Sequence, residues 1–72
     1  MMVLIITTTN PTTGLPLIEH RFYGVTQADA QARYQTHLKA DAFLRACGGA
    51  AYGQPADYNG TPCVSTWRWE QV

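Results

Sequence analysis

The sequence predicts a single α+β domain of order ββαβ, in which an antiparallel sheet of about three strands carries one bent or broken helix on one face. Three observations lead to this prediction. Two β-rich runs flank a cluster of turn formers, a helix-forming stretch without glycine or proline occupies the middle, and an alternating, tryptophan-containing run comes last. Because a chain of 72 residues builds only one hydrophobic core, we expect residues 1–72 to form one domain.

The first two strands are predicted at residues 3–9 and 17–23, which are rich in β-branched and aromatic residues and are separated by turn formers at residues 10–14. A β-hairpin is the simplest arrangement of these segments. Alternation divides the second strand into two faces. The expected core face has Ile18, His20 and Phe22, and the expected outer face has Leu17, Glu19, Arg21 and Tyr23.

The helix is predicted to begin after Thr26, since the Thr26 hydroxyl is placed to accept a hydrogen bond from the backbone N–H of Asp29. Good helix formers follow, and neither glycine nor proline occurs again before Gly48. Gly48 and Gly49 then supply the backbone freedom that commonly ends a helix.

A break in the helix is predicted near residues 39–40. The apolar positions before this point share one stripe and those after it point elsewhere, the first set being Ala30, Tyr34 and Leu38 and the second Phe43 and Cys47. Asp41 is suited to cap a second short helix over residues 42–47. We expect His37, one helical turn before Asp41, to hydrogen-bond to it and hold the joint.

Residues 48–62 are predicted to form a long loop that contains Tyr52 and Tyr58, with a turn at Asn59-Gly60, and residues 63–70 to form the final strand. One side of that strand has Cys63, Ser65, Trp67 and Trp69, and the other has Val64, Thr66, Arg68 and Glu70. Because a single helix covers only one face of the sheet, we expect the other face to be solvated or covered by a partner.

Charge and composition argue against nucleic acid and membranes as direct partners. Five Lys and Arg residues balance five Asp and Glu residues, whereas binding to phosphates needs a basic patch. No apolar run approaches the roughly 20 residues that span a bilayer, and the apolar start of the chain lacks a basic leader and is typical of a strand. We therefore expect a soluble, cytoplasmic protein that recognises its partner by shape and apolar contact.

The chain contains the ligand types of a tetrahedral zinc site, in His20, His37, Cys47 and Cys63. No two of them have the close spacing typical of structural zinc ligands, so we expect no metal. We expect no other cofactor, because the glycines after the helix lack the flanking residues of a phosphate loop. For the cysteines we expect buried free thiols, with a disulfide between them as the alternative, because the cytoplasm keeps most thiols reduced.

The sequence predicts no catalytic residue, and we expect a protein that is not an enzyme. The alternative is a cysteine-dependent enzyme, with His37 or His20 as the base and Asp41 orienting it. No motif joins these residues. A structural role for Thr26, His37 and Asp41, at the start and at the break of the helix, is the simpler interpretation.

The residues predicted to bind a partner are aromatic or basic, because Trp and Tyr supply large, stiff contact area and Arg forks onto carboxylates. They are Tyr23, Arg21, Arg68, Tyr52, Tyr58, Trp67 and Trp69. Trp67 and Trp69 share a strand face, so we expect both to behave alike, and core packing is the favoured role for at least one of them.

The middle third of the chain resembles the short reading frames common in phages and other mobile elements. The residues that carry this resemblance are His20, Phe22, Tyr23, Gly24, Val25 and Thr26, followed by Tyr34, His37, Lys39, Asp41, Phe43, Leu44 and Cys47. In size, charge and hairpin-helix-strand build the chain is also similar to several anti-CRISPR proteins, which block bacterial defence by binding an effector complex. No binding residues follow from this similarity.

Together these observations predict a non-catalytic protein-binding module, in the form of a phage or mobile-element inhibitor of a bacterial defence complex. The alternative is a small host accessory or regulatory protein that acts as a homodimer. In both cases the identity of the protein partner is open.

Overall fold

The computed structural model describes residues 1–48 and 55–72, apart from the side chains at positions 47, 48 and 55. It confirms the α+β class but has four strands instead of about three. In chain order the elements are β1 Met2–Thr9, β2 Pro16–Gly24, α1 Gln27–Ala40, a π-helical segment Leu44–Gly48, β3 Pro55–Tyr58 and β4 Thr61–Gln71.

The four strands form one antiparallel sheet in the order β2-β1-β4-β3. β1 is central because it is the most apolar strand, and residues Val3 to Ile6 are buried on both faces. Ile6 lies opposite His20 of β2 on one side and opposite Trp67 of β4 on the other. The sheet therefore has two free edges, β2 and β3.

The fourth strand, β3, lies inside the segment that the sequence predicts as a loop. Its four residues begin with a proline and include Asp57, a composition that is poor in strand formers. The tight turn at Asn59 and Gly60 explains why it forms, since both have positive φ angles, 53° and 84°, as a two-residue hairpin requires. The Asp57 carboxylate accepts a hydrogen bond of 2.9 Å from the Gly60 N–H and closes this turn.

The start of α1 follows the predicted capping pattern. The Thr26 hydroxyl accepts from the Asp29 N–H at 3.2 Å, and the Asp29 carboxylate accepts from the Thr26 N–H at 3.3 Å. Gly24, at the end of β2, lies so close to this turn that an added Cβ would collide with the backbone nitrogen of Ala30. A side chain at this position would push α1 away from β2.

The helical region breaks at Asp41, as the sequence predicts. α1 ends at Ala40, and the Asp41 Oδ1 atom accepts a 3.0 Å hydrogen bond from the Leu44 N–H at the start of the π-helical segment. The predicted second helix is therefore a short helical turn that continues as a π-helix. Leu44 is buried by this change of direction.

The core lies between α1 and one face of the sheet. Its buried members are Leu4, Ile6, Phe22, Tyr34 and Leu44, against which Leu38 and Trp67 pack. The predicted helix stripe and the predicted core face of β2 are therefore confirmed at Tyr34 and Phe22, but the predicted core position of Ile18 is wrong, since Ile18 is exposed at the irregular start of β2. Burial of the Tyr34 ring raises the pKa of its hydroxyl.

Candidate functional site

Exposed large hydrophobic residues are concentrated in and beside the edge strand β2. Eight such residues occur in the described part of the chain, three of them in β2 and two next to its ends. These five are Leu15, Leu17, Ile18, Tyr23 and Val25. A long edge strand with exposed apolar side chains is a template for pairing with a strand of another chain.

The backbone groups that point out from this edge follow from the hydrogen-bond pattern. Val72 N–H donates to Met1 O, so the odd residues of β1 bond to β4. The even residues of β1 must then bond to β2, and their partners include His20 and Phe22. The N–H and C=O groups of Glu19, Arg21 and Tyr23 are therefore directed away from the sheet, where a further strand would bind them.

The edge is irregular at its start. Thr8 lies opposite Ile18, but Thr9 lies opposite Pro16, so Leu17 is the extra residue of a β-bulge. Alternation therefore no longer assigns Leu17 to the outer face, and Leu17 lines an apolar cavity of about 360 Å³ together with Ile18 and Phe43. The regular edge begins at Ile18.

A groove of about 610 Å³ lies between this edge and α1. Its walls are residues 19–23 of β2 and, from α1, Ala32, Arg33, Thr36 and His37. Because the groove follows the outermost strand, a peptide segment paired with β2 would place alternate side chains in it.

The outer face of the sheet, opposite α1, is covered by a network of ion pairs. Glu19 accepts a 2.9 Å hydrogen bond from Arg21 Nε and lies 3.6 Å from Arg68 Nη2, and Arg68 also donates to Glu70 at 3.2 Å. The hydrogen bond from Arg21 is the largest cause that lowers the pKa of Glu19, and the same bond raises the pKa of Arg21.

This ion-pair network explains how the apolar residues of the outer face stay covered without a second layer of helices or strands among the described residues. The central residues beneath it, Val3 and Ile5, have no exposed surface. The predicted partner-binding residues Arg21, Tyr23 and Arg68 do lie on this face. The two arginines are already engaged with carboxylates, so the apolar surface that remains open is at the β2 edge.

A cluster of two histidines and one aspartate lies where β2 meets the helical break. The Asp41 Oδ2 atom is 3.9 Å from Nε2 of both His20 and His37. The predicted His37–Asp41 hydrogen bond is therefore absent, because 3.9 Å is too long, and Asp41 holds the joint through Leu44 instead. Burial lowers the pKa of His20, although the nearby Asp41 charge partly opposes this shift.

The predicted aromatic residues separate into different environments. Trp67 is partly buried against the core with its ring edge-on to Tyr34, whereas Trp69 is 37 % exposed. The expectation that the two tryptophans behave alike is wrong, whereas core packing of one of them, Trp67, is confirmed, since it packs on Tyr34 of α1 and on the core. Tyr58 is half-buried with its ring edge-on to Phe43 at 5.2 Å, and Tyr52 lies outside the described residues.

Cys63 does not have the expected free thiol. Cys63 is fully buried and disulfide-bonded, and the sequence contains one other cysteine, Cys47, whose side chain lies outside the described part of the structure. A disulfide sulfur is not a thiolate nucleophile, so a cysteine enzyme based on Cys63 would require prior reduction.

Two other kinds of site are absent from residues 1–48 and 55–72. No group of three His, Cys, Asp or Glu side chains there is arranged to hold a metal ion, and no helix there is long and apolar enough to cross a membrane. Comparisons with models of protein families, with curated proteins and with solved structures found no match to this chain.

Proposed function

We propose that this chain is a non-catalytic protein-binding module that binds by adding a strand of its partner to the free edge of β2. The observation that carries the proposal is the concentration of exposed apolar side chains in a nine-residue edge strand and next to its two ends. Main-chain hydrogen bonds to a new strand supply affinity in this mode of recognition, and side-chain pockets supply specificity.

The groove beside β2 supports this proposal. It offers a wall of α1 residues to side chains of an added strand, and Arg33 on that wall carries a positive charge, whereas Arg21 on the β2 side is paired with Glu19. An extended partner segment with apolar residues and occasional carboxylates is the complementary chemistry. The narrower function, a phage or mobile-element inhibitor of a defence complex, rests on the similarity in size and build alone.

The proposal is tested by blocking one outward-facing N–H. Proline at an edge position whose N–H points to solvent removes a donor for the added strand without breaking the bond to β1. We expect immobilised Glu19→Pro to lose capture of its partner, offered either as a bacterial lysate or as free copies of the wild-type chain, while Glu19→Ala retains it. Since both variants lose the carboxylate, only the backbone donor differs. Equal capture by the two folded variants would exclude the β2 edge as the binding site.

The disulfide at Cys63 bears on the cytoplasmic location predicted from the sequence. Cytosolic thiol pools keep most cysteine pairs reduced, so a disulfide at Cys63 favours an oxidising compartment. Alkylation of free thiols at the moment of cell lysis, followed by mass spectrometry, measures the redox state in the cell. A fully alkylated protein would support the cytoplasm.

A further inference from the structure

We propose that the strand added to β2 belongs to a second copy of this chain, and that the two β2 strands pair antiparallel about a two-fold axis through His20. This inference rests on the proposed function and names its partner. It follows from three properties of β2: the direction of its backbone groups, the order of its charges and the position of its exposed apolar residues.

The backbone limits the registers that two β2 strands can adopt. Only residues with outward groups, such as Glu19, Arg21 and Tyr23, can form hydrogen bonds across the new junction. In a symmetric antiparallel pair, residues with outward groups face each other only if some residue lies directly opposite its own copy at the two-fold axis. If the axis falls between two consecutive residues, each outward-pointing residue faces one whose groups point inward. In these registers both copies of α1 lie on the same side of the joined sheet, because directly opposed side chains share a face.

Charge then selects among the remaining registers. An axis through Glu19 opposes the two copies of Glu19, and an axis through Arg21 opposes the two copies of Arg21. An axis through His20 opposes Glu19 of each copy to Arg21 of the other. Opposite charges in directly opposed positions stabilise a strand pair and like charges destabilise it, so the His20 register is favoured. It also extends the ion pairs of the outer face from one copy into the next.

The apolar residues agree with this register. On the side of the sheet that faces α1, it places Ile18 opposite Phe22 of the second copy, in two symmetric contacts. Ile18 is 42 % exposed in the single chain, so these contacts cover one of the largest exposed side chains of the edge. The resulting sheet has eight strands, four from each copy. Its outer edges are the two short β3 strands.

Charge reversal tests the pairing in solution. We expect the purified chain to sediment as a dimer, at twice its 8.0 kDa mass, with Glu19→Arg or Arg21→Glu each weakening dimerisation roughly tenfold or more. An equimolar mixture of the two variants should recover the affinity, because Arg at position 19 of one variant faces Glu at position 21 of the other. A dimer that is insensitive to the single changes, or single variants that do not pair when mixed, would overturn the register.

A covalent trap tests the two-fold axis independently of charge. His20 of one copy lies directly opposite His20 of the other in a non-hydrogen-bonded pair, with Cα atoms about 4.5 Å apart, within disulfide reach. His20→Cys should therefore form a disulfide-linked dimer under mild oxidation. The matched control is Ile18→Cys, in which the new thiols are four residues out of register and should stay unlinked. Equal linking of both variants would overturn the proposed axis.

The results separate this inference from the proposed function. If the chain is a monomer at all concentrations, and Glu19→Pro nevertheless abolishes capture of a lysate protein that Glu19→Ala retains, the second copy is excluded and strand addition stands. If the chain is a monomer and capture is the same for both variants, both proposals fail. Circular dichroism of each variant verifies that the monomer is folded.

Discussion

The two free edges of the sheet differ in almost every property that controls strand pairing. β2 has nine residues, exposed Ile18 and Tyr23 side chains and a groove beside it. β3 has four residues, begins with a proline that lacks an N–H and carries Asp57. Short length, proline and charge are the devices by which proteins prevent edge pairing. This sheet protects one edge and leaves the other open, which points to β2 as the edge used for binding.

The helical layer reinforces this difference. α1 packs on β2 and β1, while the π-helical segment packs against β3 and β4. Asp41 lies between the two helical parts, bonded to Leu44 on the π-helical side and close to His20 on the β2 side. The helical parts that cover the two edges therefore meet at Asp41. Substitutions at Asp41, on the β2 side or on the β3 side test whether a change at one edge affects the other.

The largest effect is expected at the β3 side, where Cys63 lies opposite Ala56. Loss of a disulfide in a domain of this size costs about 2–4 kcal/mol. We therefore expect Cys63→Ser to lower the free energy of unfolding by that amount, measured by urea denaturation, without weakening strand pairing at β2. As a control, dithiothreitol should destabilise the wild-type chain and have no effect on the variant. Equal stability of variant and wild type would show that the disulfide contributes nothing.

A smaller effect is expected at the joint. Asp41→Ala removes the acceptor for the Leu44 N–H and should cost about 1 kcal/mol, the usual value of a lost cap. Asp41→Asn is the matched control, because it keeps an oxygen acceptor and should retain most of the stability. If both variants lose the same amount, the negative charge beside the two histidines matters more than the cap.

Acid should destabilise the β2 side through His20. Burial lowers the pKa of His20 below its ordinary value of 6.5, so below that pH the unfolded chain binds a proton that the folded chain does not. The free energy of unfolding from this source is complete above about pH 6.5 and falls as the pH decreases toward the folded pKa. Urea denaturation between about pH 5 and 8 measures it. His20→Gln should reduce the pH dependence, and His37→Gln should leave the His20 contribution in place.

A charge introduced on the open edge of β2 is expected to have the smallest effect on stability but a clear effect on association. Ile18 is exposed, so Ile18→Lys should change the free energy of unfolding by no more than about 0.5 kcal/mol. It should nevertheless weaken association, because an edge lysine opposes strand pairing. Thr66→Lys adds the same charge at an exposed position of β4, away from the edge. Equal association of the two variants in sedimentation would contradict the difference between the edges.

The sequence determined the features that depend on local patterns. Thr26 and Asp29 specify the start of α1 through their own hydrogen bonds, and alternation of side chains in β2 specifies the core position of Phe22. The break at Asp41 was also predictable, because the apolar residues on either side of it cannot face one core along a straight helix. In each case the controlling contacts lie within a few residues of one another.

Only the tertiary structure decided which strands became edges and what remained exposed. β3 has a weak sequence signal, and it forms because a tight turn places it beside β4. The unlike surroundings of Trp67 and Trp69 depend on the long-range contact of Trp67 with Tyr34 of α1. The cover over Val3 and Ile5 depends on Glu19 and Arg68, which are far apart in the chain. The open edge of β2 is a property of strand order, which arises from long-range pairing and is not encoded in any single segment.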